Sequence, residues 1–402
     1  MNEVKKVEPK DFLDNFGRSE SVWMYACSRC GECVDVCPIY SITHDKYTAP
    51  GFKIKKLRGI ITNKLTKVSP KLNDNNLKRL VHGIYDCTLC GRCWSVCPYN
   101  YDLVRLWEKA RESVVESGLE PDPIELLIKS IETDKNIFGR PQAARTDWTK
   151  GFDAPVKEKA ATVYFTGCLL SYRGPLKSAV KATASILNAV GEDWTVLMDE
   201  WCCGAPLRFA GGTKRIRDFM DHNIAAIEAT GAGKIVFSCP GCYRIFKQEY
   251  AKVFGRRFRL LHITELVDEY IRTEKIKTTG TLESIITYHD PCELSRLLGV
   301  IDEPRRVLAS FATKLTELPL NKFNVKCCGG GGCCLAIDQS TSLFLATERI
   351  EHAEKIGATT LTVACPSCNV VLNTAARMKK STVQVLDFAE VVAPYILDTR
   401  KK

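Results

Sequence analysis

Ile235-Val-Phe-Ser-Cys-Pro-Gly-Cys242 and Leu361-Thr-Val-Ala-Cys-Pro-Ser-Cys368 decide the fold. Each is a short, buried-looking apolar run that ends in Cys-Pro-x-Cys. A strand that is apolar on both faces and feeds a helix is the repeating part of a parallel α/β sheet. The surroundings of the two runs also match. Ala161-Thr-Val-Tyr-Phe-Thr-Gly-Cys168 corresponds to Ile285-Ile-Thr-Tyr-His-Asp-Pro-Cys292, and Cys202-Cys-Gly204 corresponds to Cys327-Cys-Gly329. A long amphipathic stretch then passes through Gly231-Ala-Gly-Lys or Gly357-Ala-Thr-Thr into the quoted runs. Each half closes on a strand-helix signal, Leu260-Leu-His-Ile-Thr-Glu-Leu266 or Val383-Gln-Val-Leu-Asp-Phe-Ala-Glu390. Self-similarity at an offset of about 125 residues makes the chain from 159 onward a duplication. Cysteines at the carboxyl ends of such strands would converge on one rim.

Upstream lie two shorter cysteine runs, Cys27-x2-Cys30-x2-Cys33-x3-Cys37-Pro38 and Cys87-x2-Cys90-x2-Cys93-x3-Cys97-Pro98. Both reproduce the bacterial ferredoxin pattern, in which three closely spaced thiolates wrap one cluster and the fourth cysteine serves the other. This assigns Cys27, Cys30, Cys33 and Cys97 to one cubane [4Fe-4S] cluster, and Cys87, Cys90, Cys93 and Cys37 to its neighbour. Four cysteines also suit tetrahedral zinc, which stands as the alternative. Amphipathic sequence such as Leu103-Val-Arg-Leu-Trp-Glu-Lys-Ala-Arg111 makes this part helical. The expected fold class is α+β: a helical bis-[4Fe-4S] ferredoxin domain (1–115), a connector rich in proline and glycine (116–158), and two cysteine-rich α/β repeats (159–278 and 279–402).

Composition narrows the function. Twenty cysteines would mean a disulfide scaffold in a small secreted chain, but 402 residues can build hydrophobic cores, so reduced thiolates holding metal are the better account. Met1-Asn-Glu-Val-Lys-Lys6 lacks the apolar core of a secretory signal, and no stretch of eighteen apolar residues could span a bilayer. A cytoplasmic protein is expected, or one held at the cytoplasmic membrane face by a partner. The net charge of +10 is spread thinly, with small clusters at Lys53-Ile-Lys-Lys-Leu-Arg58 and Arg256-Arg-Phe-Arg259. They read as solvated faces or as docking surfaces for an acidic or membrane-bound partner. No nucleic-acid module accompanies them, and no GxGxxG follows a strand, so any flavin belongs to another polypeptide.

Five thiols recur in one order in each half, and adjacent cysteines splay badly around a single tetrahedral ion but can bridge irons in a polynuclear cluster. These paired motifs resemble the cysteine-rich domain of the B-type polypeptide of heterodisulfide reductase, and the ferredoxin part resembles the C-type polypeptide. Together they resemble the fused D-type polypeptide, within a superfamily that includes glycolate oxidase and anaerobic glycerol-3-phosphate dehydrogenase iron-sulfur proteins. The resemblance implies two noncubane [4Fe-4S] clusters. One would use Cys168, Cys202, Cys203, Cys239 and Cys242, and the other Cys292, Cys327, Cys328, Cys365 and Cys368. Zinc in one half is the alternative.

The resemblance implies a catalytic role for those ten cysteines, in which electrons reach a heterodisulfide-type substrate through the cubane pair. The alternative is a relay between a flavoprotein dehydrogenase or bifurcating complex and a quinone, cytochrome or low-potential acceptor. Expected partners are a flavoprotein, a ferredoxin-like protein or a membrane cytochrome b. An anionic disulfide would need cations near the rim, for which Arg208, Lys214, Arg244, Arg296 and Lys326 are candidates beside their structural reading as surface cations. His289 is either structural or a group that orients substrate or protonates a leaving thiolate. Cys333 and Cys334 depart from the resemblance, and read as a buried inert pair, an altered ligand set or a redox dithiol.

Overall fold

The computed structural model describes residues 16–66 and 74–397, so the amino-terminal run 1–6 lies outside the described residues. The chain forms two compact units. The first takes the described residues up to 129 together with the short segments 206–214 and 331–342, and the second takes the remainder.

The first unit is helical. Helix Leu103–Glu116 starts at Asp102, whose side chain accepts the Arg105 backbone N–H. It buries Leu106, Trp107, Ala110 and Val114 on one stripe and packs against helix Asp74–Tyr85. In each ferredoxin-type run a four-residue helix, Glu32–Asp35 or Arg92–Ser95, carries the third cysteine.

The second unit holds two four-stranded sheets, and every strand pairing in both is parallel. The first repeat contributes β1 (Thr162–Phe165), β2 (Trp194–Thr195), β3 (Lys234–Phe237) and β4 (Arg259–His262) in the order β2-β1-β3-β4. The second contributes β5 (Leu282–His289), β6 (Ala312–Leu315), β7 (Thr360–Val363) and β8 (Gln384–Asp387) in the order β6-β5-β7-β8. The central strands β1 and β7 are buried along their whole length, as helices on both faces require. The expected α/β duplication is therefore present.

The repeats pack reciprocally. Helix Lys177–Ala189 of the first lies on Phe388–Val392 of the second, and Ile263–Arg272 of the first, the equivalent of Phe388–Val392, lies on Asp302–Ala309, the equivalent of Lys177–Ala189. Arg306 clamps Asp268 with two hydrogen bonds of 2.7 and 2.6 Å across the latter contact. Such exchange of equivalent elements is the pattern of a two-fold interface, here within one chain. The carboxyl end closes the second repeat on itself. The Thr279 N–H donates to the Tyr395 carbonyl at 2.8 Å, the Leu397 N–H donates to the Lys277 carbonyl at 3.1 Å, and the Tyr395 ring stacks on Phe311.

Residues 116–158, expected as a connector, are more structured than that. They carry helix Asp122–Asp134 and the 3-10 helix Gln142–Thr149, which sets Trp148 and Arg145 into the second unit. Pro121, Pro123 and Pro141 fall at helix starts, where a missing N–H costs nothing, and Pro155 lies in a loop.

Helix Phe388–Val392 begins with a capping box in which Asp387 accepts the Ala389 N–H and Glu390 accepts the Asp387 N–H. Burial pushes the Asp387 carboxyl up to about 8. Between about pH 4 and that value the folded chain keeps a proton that the unfolded chain releases, so this group's stabilisation is complete below pH 4 and lost as pH rises through 8. Asp387→Asn keeps the acceptor without the charge. Its expected gain is on the order of 2 kcal/mol at pH 8.5, or about 4 °C, and close to none at pH 4, as read by thermal unfolding at the two pH values.

Candidate iron-sulfur sites

In the first unit the ferredoxin-type cysteines fall into two groups. Cys27, Cys30, Cys33 and Cys97 line one cavity of about 270 Å³, which brings the fourth cysteine of the second run to the first three of the first. Burial, then the neighbouring Cys27 and Cys30, push the Cys33 thiol up to about 11, and Cys97 adds to this. The second group is deeper. Burial drives the Cys93 thiol well above its usual range, and Cys87, Cys90 and Cys37 reinforce it. The Cys37 thiol is pushed to about 11 by burial, with Lys53 pulling the other way. Thiols that raise one another's pKa in a shared cavity form a site that a cation would relieve.

In the second unit the first and fourth cysteines of each five-cysteine set lie just past the carboxyl ends of strands. Cys168 follows β1, Cys239 follows β3, Cys292 follows β5 and Cys365 follows β7. Cys239 and Cys365 are extended N-cap residues of helices Pro240–Ile245 and Pro366–Lys379, with proline in the first turn. The third helical residue is then Cys242 or Cys368, so helix geometry alone aims two thiols from one helix start. A helix start also favours negative charge.

The Cys-Cys-Gly turns complete the sets. Gly204 and Gly329 share a φ of 89°, a left-handed conformation that a side chain would strain. At the first turn the wholly buried Asn223 donates to the Cys202 carbonyl at 3.3 Å and to the Tyr250 hydroxyl at 3.0 Å, and that hydroxyl donates to the Cys203 carbonyl at 3.1 Å. Hydrogen bonds from Cys202 and Cys242 hold the Cys203 thiol down at about 6. In the second set Cys328 lies 3.3 Å from Cys368, and hydrogen bonds from Cys327 and Cys368 hold it well below its ordinary value. The second cysteine of each pair is thus the favoured thiolate. Gly167 allows a further close approach, since a Cβ there would come within 2.9 Å of the Cys242 sulfur.

Neither set stands alone. Helix Pro240–Ile245, carrying Cys242, packs on helix Cys292–Leu298 of the other repeat, and helix Pro366–Lys379 packs on Gly167–Tyr172. Each Cys-Pro-x-Cys helix therefore touches the helix bearing the first cysteine of the other set. Arg244 and Glu293 make a 3.0 Å ion pair at the first of these contacts.

The surroundings differ between sets. Arg145 and Glu200, each about 1% exposed, pair at 2.7 Å beside Cys168, to whose sulfur Arg145 donates at 3.8 Å. Glu200 also accepts the Thr166 and Gly167 N–H groups. Burial raises the Glu200 carboxyl, against the pull of Arg145 and those amides. In the second set His289 occupies the place that Phe165 takes in the first. Its ring nitrogen lies within 4.8 Å of the Cys328 and Cys368 sulfurs, and its Nδ1 has no partner. Burial keeps this imidazole neutral, with its pKa held to about 3.

Each of the five basic residues considered for an anionic substrate has a partner within the chain, although Lys214 is exposed. Arg208 pairs with Glu108, Lys214 with Glu116, Arg244 with Glu293 and Lys326 with Glu348, while Arg296 donates to the carbonyls of Phe323 and Val325. Arg257 and Arg259 pair with Glu228 and Glu269. Cys334 is buried at the start of a short helix with its sulfur 4.0 Å from the Asp338 carbonyl, and Cys333 lies 4.0 Å from the Pro206 carbonyl. No disulfide links any of these cysteines among the described residues.

Comparison with known proteins agrees with this layout. A cysteine-rich domain family matches residues 162–247 and 286–373, and a 4Fe-4S dicluster domain family matches 23–101. The chain is 34% identical, over 97% of its length and 98% of the relative's, to the D-type polypeptide of dihydromethanophenazine:CoB--CoM heterodisulfide reductase of Methanosarcina acetivorans. It is 25% identical to EtfAB:quinone oxidoreductase of Syntrophomonas wolfei over 94% of its own length and 59% of that protein's. A hypothetical protein from Helicobacter pylori has a similar fold, with a TM-score of 0.60 at 12% identity over 96% of this chain and 76% of that one.

Proposed function

Because the chain belongs to the D-type heterodisulfide reductase family of iron-sulfur oxidoreductases, we propose that it accepts electrons singly from a partner redox protein and delivers them in pairs to a disulfide. The reading places cubane [4Fe-4S] clusters on Cys27, Cys30, Cys33, Cys97 and on Cys37, Cys87, Cys90, Cys93. It places noncubane [4Fe-4S] clusters on Cys168, Cys202, Cys203, Cys239, Cys242 and on Cys292, Cys327, Cys328, Cys365, Cys368. The chemistry these clusters supply when bound is one-electron transfer. The overall reaction consumes one disulfide, two electrons and two protons and yields two thiols.

One observation supports the catalytic reading above the others: the two five-cysteine sets are built on helices that touch reciprocally across the repeat interface. A substrate with two sulfur atoms suits two thiolate-rich sites whose helices touch. The residues around them exclude water and fix geometry. Asn223 and Tyr250 pin the first Cys-Cys turn, Arg145 offsets negative charge at Cys168, and His289 offers a neutral N–H beside the second set.

A relay reading draws on the engaged state of Arg208, Lys214, Arg244, Arg296 and Lys326, which leaves the expected cationic rim for an anionic disulfide without those members. No helix among the described residues is long and apolar enough to cross a membrane, so attachment to a membrane cytochrome would be through that partner. Anaerobic turnover with reduced viologen and a panel of disulfides separates the two. The catalytic reading expects thiol release in proportion to viologen oxidised. Reduction of the clusters by a flavoprotein with no disulfide consumed would put the relay in its place.

A further inference from the structure

Two cations of the first unit are buried without a carboxylate. Lys53, about 1% exposed, donates to the Gly83 carbonyl at 3.0 Å and lies 4.6 Å from the centre of the Trp107 ring. Arg111, with no exposed surface, donates to five carbonyls, those of Ile84, Tyr85, Cys87, Phe209 and Gly332. Neither makes an ion pair among the described residues. Asp86 is near enough to feel both, but it reaches neither cation as a salt bridge. Buried charge without a counter-charge is strongly disfavoured, because carbonyl dipoles replace only part of the lost hydration.

Both cations border the deeper cysteine group. Arg111 holds the carbonyls of Ile84, Tyr85 and Cys87 itself, and Lys53 holds that of Gly83 on the same segment of chain. A third donor lies beside Lys53: the buried Trp107 N–H has no acceptor at hydrogen-bond distance. Among the described residues the shallower group has nothing comparable. Its cavity is lined by Arg29 and Lys55, both exposed, and by Glu32. Charges in water are screened, whereas buried ones act at close to full strength.

We propose that Lys53 and Arg111 are built-in counter-cations of the cluster held by Cys37, Cys87, Cys90 and Cys93, and that they make this site the higher-potential member of the cubane pair. The inference rests on the ligand sets proposed above. Adding an electron makes a thiolate-bound cluster more negative, so fixed positive charge favours the reduced state, while burial alone opposes it. An electron that enters at the accessible Cys27, Cys30, Cys33, Cys97 site leaves that cluster oxidised and the inner one reduced. The accessible site is the port and the inner site the reservoir, and Lys53 and Arg111 are positioning residues for that gradient.

The test is a potentiometric titration of the full, anaerobically reconstituted chain, followed by electron paramagnetic resonance. Cys93→Ala marks which component belongs to the inner site, and the higher-potential component is expected to be the one lost. Lys53→Met gives up one hydrogen bond and keeps the aliphatic stem. It is expected to lower the reduced-to-oxidised ratio of that component about tenfold at the parent midpoint, equivalent to about 59 mV for one electron, with the other component unmoved. Arg111→Met should act in the same direction, and Lys53→Arg should restore the parent value where a purely steric role would not. Loss of the lower component in Cys93→Ala overturns the proposal, as does an unshifted inner midpoint in Lys53→Met with full iron content. A parent chain that binds no cubane iron would overturn the ligand sets, and this proposal with them.

Discussion

Cys328→Ala is expected to remove the iron of the second five-cysteine site, about four of about sixteen atoms per chain, while the ferredoxin-type signals persist. Cys328 is buried and sits 3.3 Å from Cys368, and it is the thiol of its set whose deprotonation the neighbours Cys327 and Cys368 favour. Without it the remaining four thiols lose the member most readily held as a thiolate, the form that would bind iron. Alanine deletes one sulfur from the core, a loss of about 1 kcal/mol that the fold can absorb. Iron assay and low-temperature spectroscopy on the same preparation check both halves of the expectation. Cys334→Ala is the control, because that side chain is equally buried but contacts the Asp338 carbonyl, and its spectra should match the parent's. Unaltered iron in Cys328→Ala would show the ligand set to be wrong.

The second large effect is expected at Glu200. Its carboxylate neutralises Arg145 and accepts two backbone N–H groups at the start of the Cys168 helix, all out of contact with solvent. Glu200→Ala leaves a guanidinium and two amides uncompensated, for an expected loss of about 3–5 kcal/mol in anaerobic denaturant unfolding. Glu200→Gln separates charge from hydrogen bonding. It keeps an oxygen for the amides and removes the negative charge, so an intermediate loss is expected. A cost below about 1 kcal/mol for the alanine variant would mean that the Cys168 thiolate alone can serve as the counter-charge.

Much of this architecture could be read from the letters, and the reasons are local. The strands ending at Cys239 and Cys365 are continuous apolar runs closed by Cys-Pro, whereas the helices that begin at those prolines went unread although a first-turn proline is a helix-start signal. The amphipathic run at 103–111 becomes helix Leu103–Glu116 for an equally local reason. Strand β2 is two residues long and β6 is only half-buried, so neither leaves a periodic trace. What stayed hidden depends on partners distant in the chain. Arg145 sits in a stretch with the look of a connector, and the carboxylate that gives it meaning is Glu200. Lys53 belongs to a basic cluster that reads as a solvated face, yet the helix turns that one side chain inward and leaves Lys55 outward. The five cations near cluster motifs proved to be tied up for the same reason: proximity along the chain carries no information about which acid lies across from each. The reciprocal contact between repeats is invisible in any single repeat, because it arises only when two copies meet.

The clasp between residues 277–279 and 395–397 gives the second repeat an entrance and an exit at one place. A module whose ends meet can be copied in tandem, or transplanted behind an unrelated sequence, without its sheet being rethreaded. Gene duplication followed by head-to-tail fusion would then need no invention of new connections, only a surface on which twin copies could settle face to face.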